Sequence, residues 1–460
     1  MLNYEQVRQH LKEHPHRGSP ARGSKILIVG FAVIILAGTL LLMLPIATED
    51  SRGLSWDVAL FTAVSATTVT GLAVVGTEST FSLFGEIVIL ALIQVGGIGF
   101  ITLSVILFRL IGRRVSIFER NLLRQTLGFE GTSSIVRLTL VVLATTVVIE
   151  LVGAIFLFSQ WIQIMSWQSA LYYSIFHSIS AFCNAGFDLF HGFGDPVLIY
   201  TKTNAVILIT LSILITVGTL GITVIYDIVV WPRDRHISLH TKLIIPLTVA
   251  LTVIGTLLVI LDEFYVEGHA MIDVSPVSSF LLAFFTVVSS RTAGITLVPM
   301  NALGQGSQMI IFMWMFIGGA PASMGGGVGI TTIAVVLITV RSTARGYREV
   351  RVLGRTLPME TITKAVAVLT VSTGLIVVIT FCLVFIEKTN LFYIAFETVS
   401  AFSNTGYSLG ITSDLGLASR LLIAFTMFWG RLGPLTLVVA LAQRRRQTLI
   451  HYPEERIIIG

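Results

Sequence analysis

Long apolar runs alternate with short polar joints along most of the chain, and a helical run needs about 20 residues to cross roughly 30 Å of hydrocarbon. Runs of that length lie near 25–46, 83–108, 134–159, 203–230, 242–261, 308–340, 362–386 and 418–441. They predict eight spans. Between the first and second span of each successive pair lies a segment too apolar for a solvated loop and too short for another crossing. In order these read TAVSATTVTGL (62–72), HSISAFCNAGF (177–187), FTVVSSRTAGI (285–295) and ETVSAFSNTGY (397–407). Aligned on Gly71, Gly186, Gly294 and Gly406, they recur at intervals of 115, 108 and 112 residues. The unit they predict is a helix, a short re-entrant helix, a glycine-bearing turn and a second helix, present four times. In hydrocarbon, non-helical backbone is tolerated only where protein buries it or it lines a cavity, so four such turns must share an interior. The expected fold is an all-α integral membrane protein with four helix/re-entrant pore loop/helix repeats around a pseudo-fourfold pore axis.

Composition agrees with that pattern and excludes a soluble domain. Of 460 residues 54% are hydrophobic and 12% charged, against roughly 25% charged in soluble domains, and the mean hydropathy is +0.88. The first apolar run is too long for a signal-peptide core and no small-residue cleavage pattern follows it. The two cysteines, Cys183 and Cys382, lie in different apolar segments with no metal-site or disulfide spacing. The net charge of +5 matters through its placement: 24 of the 30 Lys and Arg fall in the N-terminal arm, alternate connections and the C-terminal tail. The positive-inside rule makes those parts cytoplasmic, with both termini inside the cell membrane. The expected divisions are a cytoplasmic arm (1–24), repeat 1 (25–112), an interfacial connection (113–133), repeat 2 (134–232), repeat 3 with an interrupted second helix (233–340), a cytoplasmic connection (341–361), repeat 4 (362–443) and a cytoplasmic tail (444–460).

The candidate chemistry is carried by main-chain oxygen. Glycine lets the chain turn carbonyls inward, and a ring of carbonyls can replace the hydration shell of a monovalent cation. The expected filter is Val69, Thr70 and Gly71; Asn184, Ala185 and Gly186; Thr292, Ala293 and Gly294; and Asn404, Thr405 and Gly406, with K+ at their carbonyls. Ordinary small-residue turns are the plain alternative. The sixth run, 308–340, is longer than one crossing needs and carries GGAPASMGGGVGITT at 318–332. Glycine costs about 1 kcal/mol and proline about 3 kcal/mol per helical position, so Gly318, Gly319, Pro321, Gly325, Gly326, Gly327 and Gly329, with Ser323 among them, predict two half-helices joined by a loop. A loop there would lie beneath the filter and obstruct flow; close helix packing is the other use of such glycines. Arg431 falls in the middle of the last span, where a buried arginine normally faces a cavity or a partner. Arg291 is expected to brace the third short helix through an ion pair or hydrogen bonds, with Glu86 or Glu150 as possible partners, and His177 to act as hydrogen-bonded support. Asp57, Glu78, Asp188 and Asp195 are expected on the outer side, where cations enter.

Several patterns mislead. Gly406 to Gly410 reads GxSxG, yet the only later histidine, His451, belongs to the cytoplasmic tail, and the elbow needs a strand-turn-helix context. No HExxH site or GxxxxGKS/T loop occurs, so no catalytic residue is expected and the chain is read as a non-enzyme. The GGIG at 96–99 reads as close helix packing. VSIFERNLLRQTLGFE (115–130), with Arg120 and Arg124, reads as an interfacial helix on membrane lipid or a docking surface, and 341–357 is a second basic candidate for either.

TVTGL and RTAGI, the 318–329 interruption, FWGRLGP (428–434) and the ending YPEERIIIG together resemble the KtrB family, the membrane subunits of bacterial Ktr potassium uptake systems in the Trk/Ktr/HKT superfamily. The resemblance covers the chain from about residue 25. It implies potassium translocation, with glycine at the first filter position accompanying potassium preference. It further implies a gate at 318–329, Arg431 pointing into the pore beneath the filter, a homodimer to which the C-terminal tail contributes, and a KtrA-type cytosolic nucleotide-binding regulatory ring. Nucleotide would act only through that partner, Na+ as an activator, and nucleic acid not at all. The chain departs from the family in one place: relatives carry a lysine in a GGIK-like element, whereas Gly326, Gly327, Val328 and Gly329 stand here, which removes a loop cation from the account. A sodium-permeant or sodium-coupled carrier, or a non-conducting sensory or structural protein on the same scaffold, are the alternative functions.

Overall fold

The computed structural model describes residues 20–99, 135–235, 237–265, 275–347 and 349–433. The expected interfacial helix at 115–130, most of the N-terminal arm and the tail from 444 lie outside these residues. The helices fall into four successive groups. The first group is α1 (Pro20–Leu42), α2 (Trp56–Thr68) and α3 (Leu83–Ile98). The second is α4 (Ile135–Trp161), α5 (Trp167–Cys183) and α6 (Ala205–Leu220), continued past a break by α7 (Ile222–Asp234). The third is α8 (Leu239–Tyr265), α9 (Pro276–Ser290), α10 (Gln305–Ile317) and, past a loop, α11 (Ile330–Ala344). The fourth is α12 (Met359–Ile386), α13 (Leu391–Ser403) and α14 (Leu417–Leu432). Among the described residues α1, α4, α8 and α12 are each long and apolar enough to cross a membrane.

The short helices α2, α5, α9 and α13 have 13, 17, 15 and 13 residues. At 1.5 Å per residue they cover about 20–26 Å, less than a full crossing. Three of their starts are set by polar caps: Ser166, Ser275 and Asn390 accept main-chain N–H bonds from Ser169, Ser278 and Phe392, which satisfies first-turn donors that hydrocarbon would leave bare. Each also buries a phenylalanine anchor, Phe61, Phe176, Phe285 or Phe396, at no more than 1% exposure, with Phe182 and Phe402 buried beside them in α5 and α13.

Packing then joins the groups in sequence. Each short helix lies against the helices before and after it in its own group, and the helix that follows it lies against the next short helix: α3 on α5, α6 on α9, α10 on α13, and α14 back on α2. The order is therefore closed, with the first and last groups as neighbours.

The structure corrects the expected spans in one respect. The runs 83–108, 203–230 and 418–441 are not continuous helices, because α3, α6 and α14 stop at Gly99, Gly221 and Gly433, with φ of 85°, 85° and 82°. A second bend of 83° separates the short helix Pro196–Thr203 from α6. The interruption expected in 308–340 is present, between Ile317 and Ile330. The basic connection after α11 is a hairpin of β1 (Arg351–Val352) and β2 (Arg355–Thr356). Its two turn residues, Leu353 and Gly354, have φ of 47° and 77°, as a two-residue turn matched to strand twist requires.

Candidate functional site

Each short helix runs directly into its glycine-bearing turn. α2, α5 and α13 end on a left-handed residue, Val69 (φ 58°), Asn184 (φ 57°) and Asn404 (φ 52°). The following N–H returns to a serine carbonyl: Thr70 to Ser65 at 2.8 Å, Ala185 to Ser180 at 2.8 Å and Thr405 to Ser400 at 3.0 Å. Asparagine accepts that backbone region readily, whereas β-branched Val69 is strained in it. α9 ends otherwise. Arg291 stays at φ −86°, Thr292 takes φ 120° and Gly294 N–H bonds Ser289 O at 3.0 Å, because Ser289 stands one residue closer to its glycine than the other three serines do.

The four glycines close a ring. Their φ values are 85° at Gly71, 73° at Gly186, 65° at Gly294 and 95° at Gly406. A Cβ on Gly71 would collide with Ala185 O, one on Gly186 with Ala293 O, one on Gly294 with Thr405 O and one on Gly406 with Thr70 O. Each glycine thus packs against the carbonyl of the next turn, and only a hydrogen fits between them. The structure brings all four candidate triplets together in this way. Their carbonyl oxygens are neutral donors of the kind that suits a monovalent cation, and among the described residues no cluster of His, Cys, Asp or Glu is arranged to hold a metal ion.

Hydroxyls and amides hold the ring. Ser180 Oγ donates to Phe187 O at 2.6 Å and Ser289 Oγ to Ile295 O at 3.2 Å, while Ser400 Oγ accepts Gly406 N–H at 3.0 Å. Thr68 and Thr70 hydroxyls pair at 2.7 Å, as do Ser403 and Thr405. The Asn404 amide nitrogen donates to Thr70 Oγ1 and to Met427 O, both at 2.9 Å. The Asn184 amide reaches Thr219 Oγ1 at 2.9 Å and Thr292 Oγ1 at 3.1 Å; with its oxygen toward those hydroxyls, its nitrogen donates to Ala181 O and Ile215 O.

The loop from Gly318 to Gly329 is seated directly against these turns: a Cβ on Gly325 would strike the Thr292 side chain, and one on Gly326 would strike Asn404 Oδ1. It is held mainly by the broken end of α6. Ala320 N–H bonds Thr219 O at 3.0 Å, Met324 N–H bonds Gly218 O at 3.1 Å, and Ala322 O accepts Ile222 N–H at 3.1 Å. Two breaks in the helical ladder therefore satisfy each other's main-chain groups, as a low-dielectric surrounding demands. Within the loop Gly319 N–H bonds Gly326 O at 3.1 Å and Gly325 N–H bonds Ser323 Oγ at 3.1 Å; Gly327 and Pro321 complete the turn. Arg431 fastens the loop from the other side. Its guanidinium donates to Met324 O and to Gly96 O and Gly97 O at the end of α3. The carbonyls of a helix C-terminus have no partner within the helix, so this arginine caps α3 while bridging to the loop.

A model of the TrkH family, described as cation transport protein, matches residues 5–449. The chain belongs to the TrkH family. Among its relatives, Ktr system potassium uptake protein B of Bacillus subtilis is 37% identical over 439 residues, 95% of this chain and 96% of that protein. The protein of the same description from Vibrio alginolyticus is 36% identical, over 95% and 94%. The potassium/sodium uptake protein NtpJ of Enterococcus hirae is 33% identical, over 95% and 97%. Among solved structures, the potassium transporter TrkH from Vibrio parahaemolyticus has a TM-score of 0.75 over 94% of this chain and 86% of that one, at 19% identity, a likeness of fold. With its apolar helices, this TrkH-family chain is a multi-pass membrane protein.

Other candidate residues of this TrkH-family chain have scaffold roles. Asp57 pairs with Arg420 at 2.9 Å, Glu78 contacts His191, Asp188 Oδ1 accepts Phe190 N–H at 3.1 Å and Asp195 caps the helix Pro196–Thr203. Burial pushes the Glu78 carboxyl above its usual range, against the opposing charge of His191. His177 supports as expected: its Nδ1 lies 2.8 Å from Tyr173 O and its Nε2 accepts Leu189 N–H. The expectation for Arg291 needs correction. Glu86 accepts from Tyr172 and Glu150 from Gln94, while Arg291 Nε and Nη2 are buried with no partner among the described residues. Ser408 Oγ accepts from Gly410 N–H and Thr412 Oγ1, so the GxSxG serine serves a turn.

Sequence reasoning missed a motif of the second helices. VGGIG (95–99), VGTLG (217–221) and WGRLG (429–433) share a GxxG. The first glycine of each, Gly96, Gly218 and Gly430, packs against the end of its own short helix, where a Cβ would collide with the carbonyl of Thr67, Phe182 or Phe402. The second is the break. Close packing, the expected role of GGIG, accounts for half of the motif.

Proposed function

We propose that this chain is the potassium-translocating subunit of a Ktr-type uptake system, with four repeats around one pore axis. Potassium passes through a filter lined by the carbonyls of residues 69–71, 184–186, 292–294 and 404–406, and no covalent chemistry is involved. The observation that carries this reading is the closed approach of Gly71, Gly186, Gly294 and Gly406 to one another's neighbouring carbonyls. A descent shared with proteins called Ktr system potassium uptake protein B supports it. The 318–329 loop, seated under Thr292 and Asn404, is the gate, and Arg431 is its brace; with the guanidinium engaged by three carbonyls, its bonds limit the loop's movement in addition to any effect of its charge on the ion. We further propose a homodimer working with a KtrA-type cytosolic ring, in keeping with the word system in the relatives' names, with both termini on the cytoplasmic side by the placement of Lys and Arg.

A sodium-linked variant of the same transport is the second reading, favoured by the similarity to a potassium/sodium uptake protein. The test is uptake of potassium in a transport-deficient cell, with and without sodium, by the wild type and by Gly71→Ser. Potassium uptake whose discrimination over sodium falls in G71S supports the filter; an unchanged ratio removes it. Uptake that requires sodium favours the second reading.

A further inference from the structure

The two asparagines that end α5 and α13 close alternate seams of the ring, Asn184 toward the third turn at Thr292 and Asn404 toward the first turn at Thr70. They differ in how the amide oxygen is used. With its oxygen toward the Thr219 and Thr292 hydroxyls, Asn184 is satisfied at both ends. Asn404 donates twice from its nitrogen, to Thr70 Oγ1 and Met427 O, but its Oδ1 is buried without a donor among the described residues. A Cβ on Gly326 of the seated loop would strike that oxygen, which also lies against Gly430 of α14. An amide oxygen shut away from water and unpaired destabilises the arrangement that shuts it away.

We propose that Asn404 is a positioning residue that couples the loop to the ring. Its nitrogen holds the first turn in place, and its oxygen opposes the seated loop, because it gains a water or a passing cation as partner only when Gly326 withdraws. The geometry makes the coupling local: one amide is shared by the fourth turn, the first turn and the loop. This rests on reading the ring as the filter and the loop as the gate.

The test uses the full chain in cells lacking other potassium uptake, with influx normalised to the amount of protein in the membrane. Asn404→Leu keeps the size and removes the amide. Its potassium-to-sodium uptake ratio is expected to fall about five- to tenfold, the factor that loss of a buried hydrogen bond gives. Its potassium influx is expected to fall as well while the loop is intact, since the opposing oxygen is gone. In a chain with part of 318–329 deleted, the influx penalty should vanish and the loss of selectivity should remain. Thr70→Val, which removes the acceptor of Asn404 and the Thr68 pair but keeps the opposing oxygen, should reproduce the selectivity loss, and any change in its influx should be the same with and without the loop. Asn184→Leu should lower the ratio with no loop-dependent change in influx. An influx penalty that persists without the loop overturns the coupling. A ratio unchanged in N404L while G71S alters it overturns the role of Asn404 and leaves the filter standing; a ratio unchanged in both removes the filter. Should N404L be missing from the membrane, Asn404→Ser and T70V carry the same comparisons.

Discussion

Two stretches of non-helical backbone meet inside this molecule, and they are held in opposite ways. The glycine ring is locked by side chains: serine and threonine hydroxyls, two asparagine amides and Tyr407, whose hydroxyl reaches Thr286 O and Ile295 O at 3.3 and 3.4 Å. The 318–329 loop is held chiefly by main-chain bonds to another broken helix and by the guanidinium of Arg431. Side-chain locks on every turn fix one geometry, which the proposed filter would need to tell apart ions of similar size. Main-chain bonds can be exchanged for water with little rearrangement, which the proposed gate would need.

The sharpest way to break this contrast is Gly294→Val. Its Cβ would meet Thr405 O at a backbone angle unfavourable to a branched residue, so destabilisation on the order of 3 kcal/mol or more is expected, with uptake abolished. A well-folded, selective G294V in thermal-melt and uptake assays would show that the ring is not tight. Next is Arg431→Met, which removes three charge-assisted bonds; a potassium flux raised about tenfold in proteoliposomes is expected, together with reduced stability. Flux that falls in folded protein would place Arg431 in the conduction path and not in the loop's restraint. Ser180→Ala should cost about 1 kcal/mol and lower potassium preference a few-fold without raising flux, which separates ring from loop. The smallest effect is expected from Asp57→Asn. Its pair with Arg420 is partly exposed, at 19% for each side chain, and such pairs contribute at most about 1 kcal/mol, so selectivity should stay as it is.

The long helices and the four turns were legible because hydropathy and a repeated glycine are visible one residue at a time. The breaks at Gly99, Gly221 and Gly433 were not, since one glycine costs a helix only about 1 kcal/mol and does not stand out as the seven breakers from Gly318 to Gly329 do. Aligning the second helices as well as the turns would have exposed their GxxG. The asparagine ties were hidden for a different reason: Asn184 and Thr292 are 108 residues apart and Asn404 and Thr70 are 334 apart, so only the closed packing order makes them neighbours. The ring follows from the repeated glycines together with the physics of the bilayer, in which bare backbone must share an interior. Arg431 stands out by its charge in an apolar run, but its carbonyl partners carry no sequence signature.

The return of α14 onto α2 has a consequence for biogenesis. Because Thr70 waits for Asn404, the first turn's tie to the fourth forms only after the chain has grown 334 residues further. Throughout that interval the nascent protein holds unfinished backbone within the bilayer, so translation arrest before the fourth group leaves a product that insertion has accepted but assembly cannot complete. Truncations near the carboxyl end are therefore expected to be cleared by quality control as efficiently as disruptions at the start.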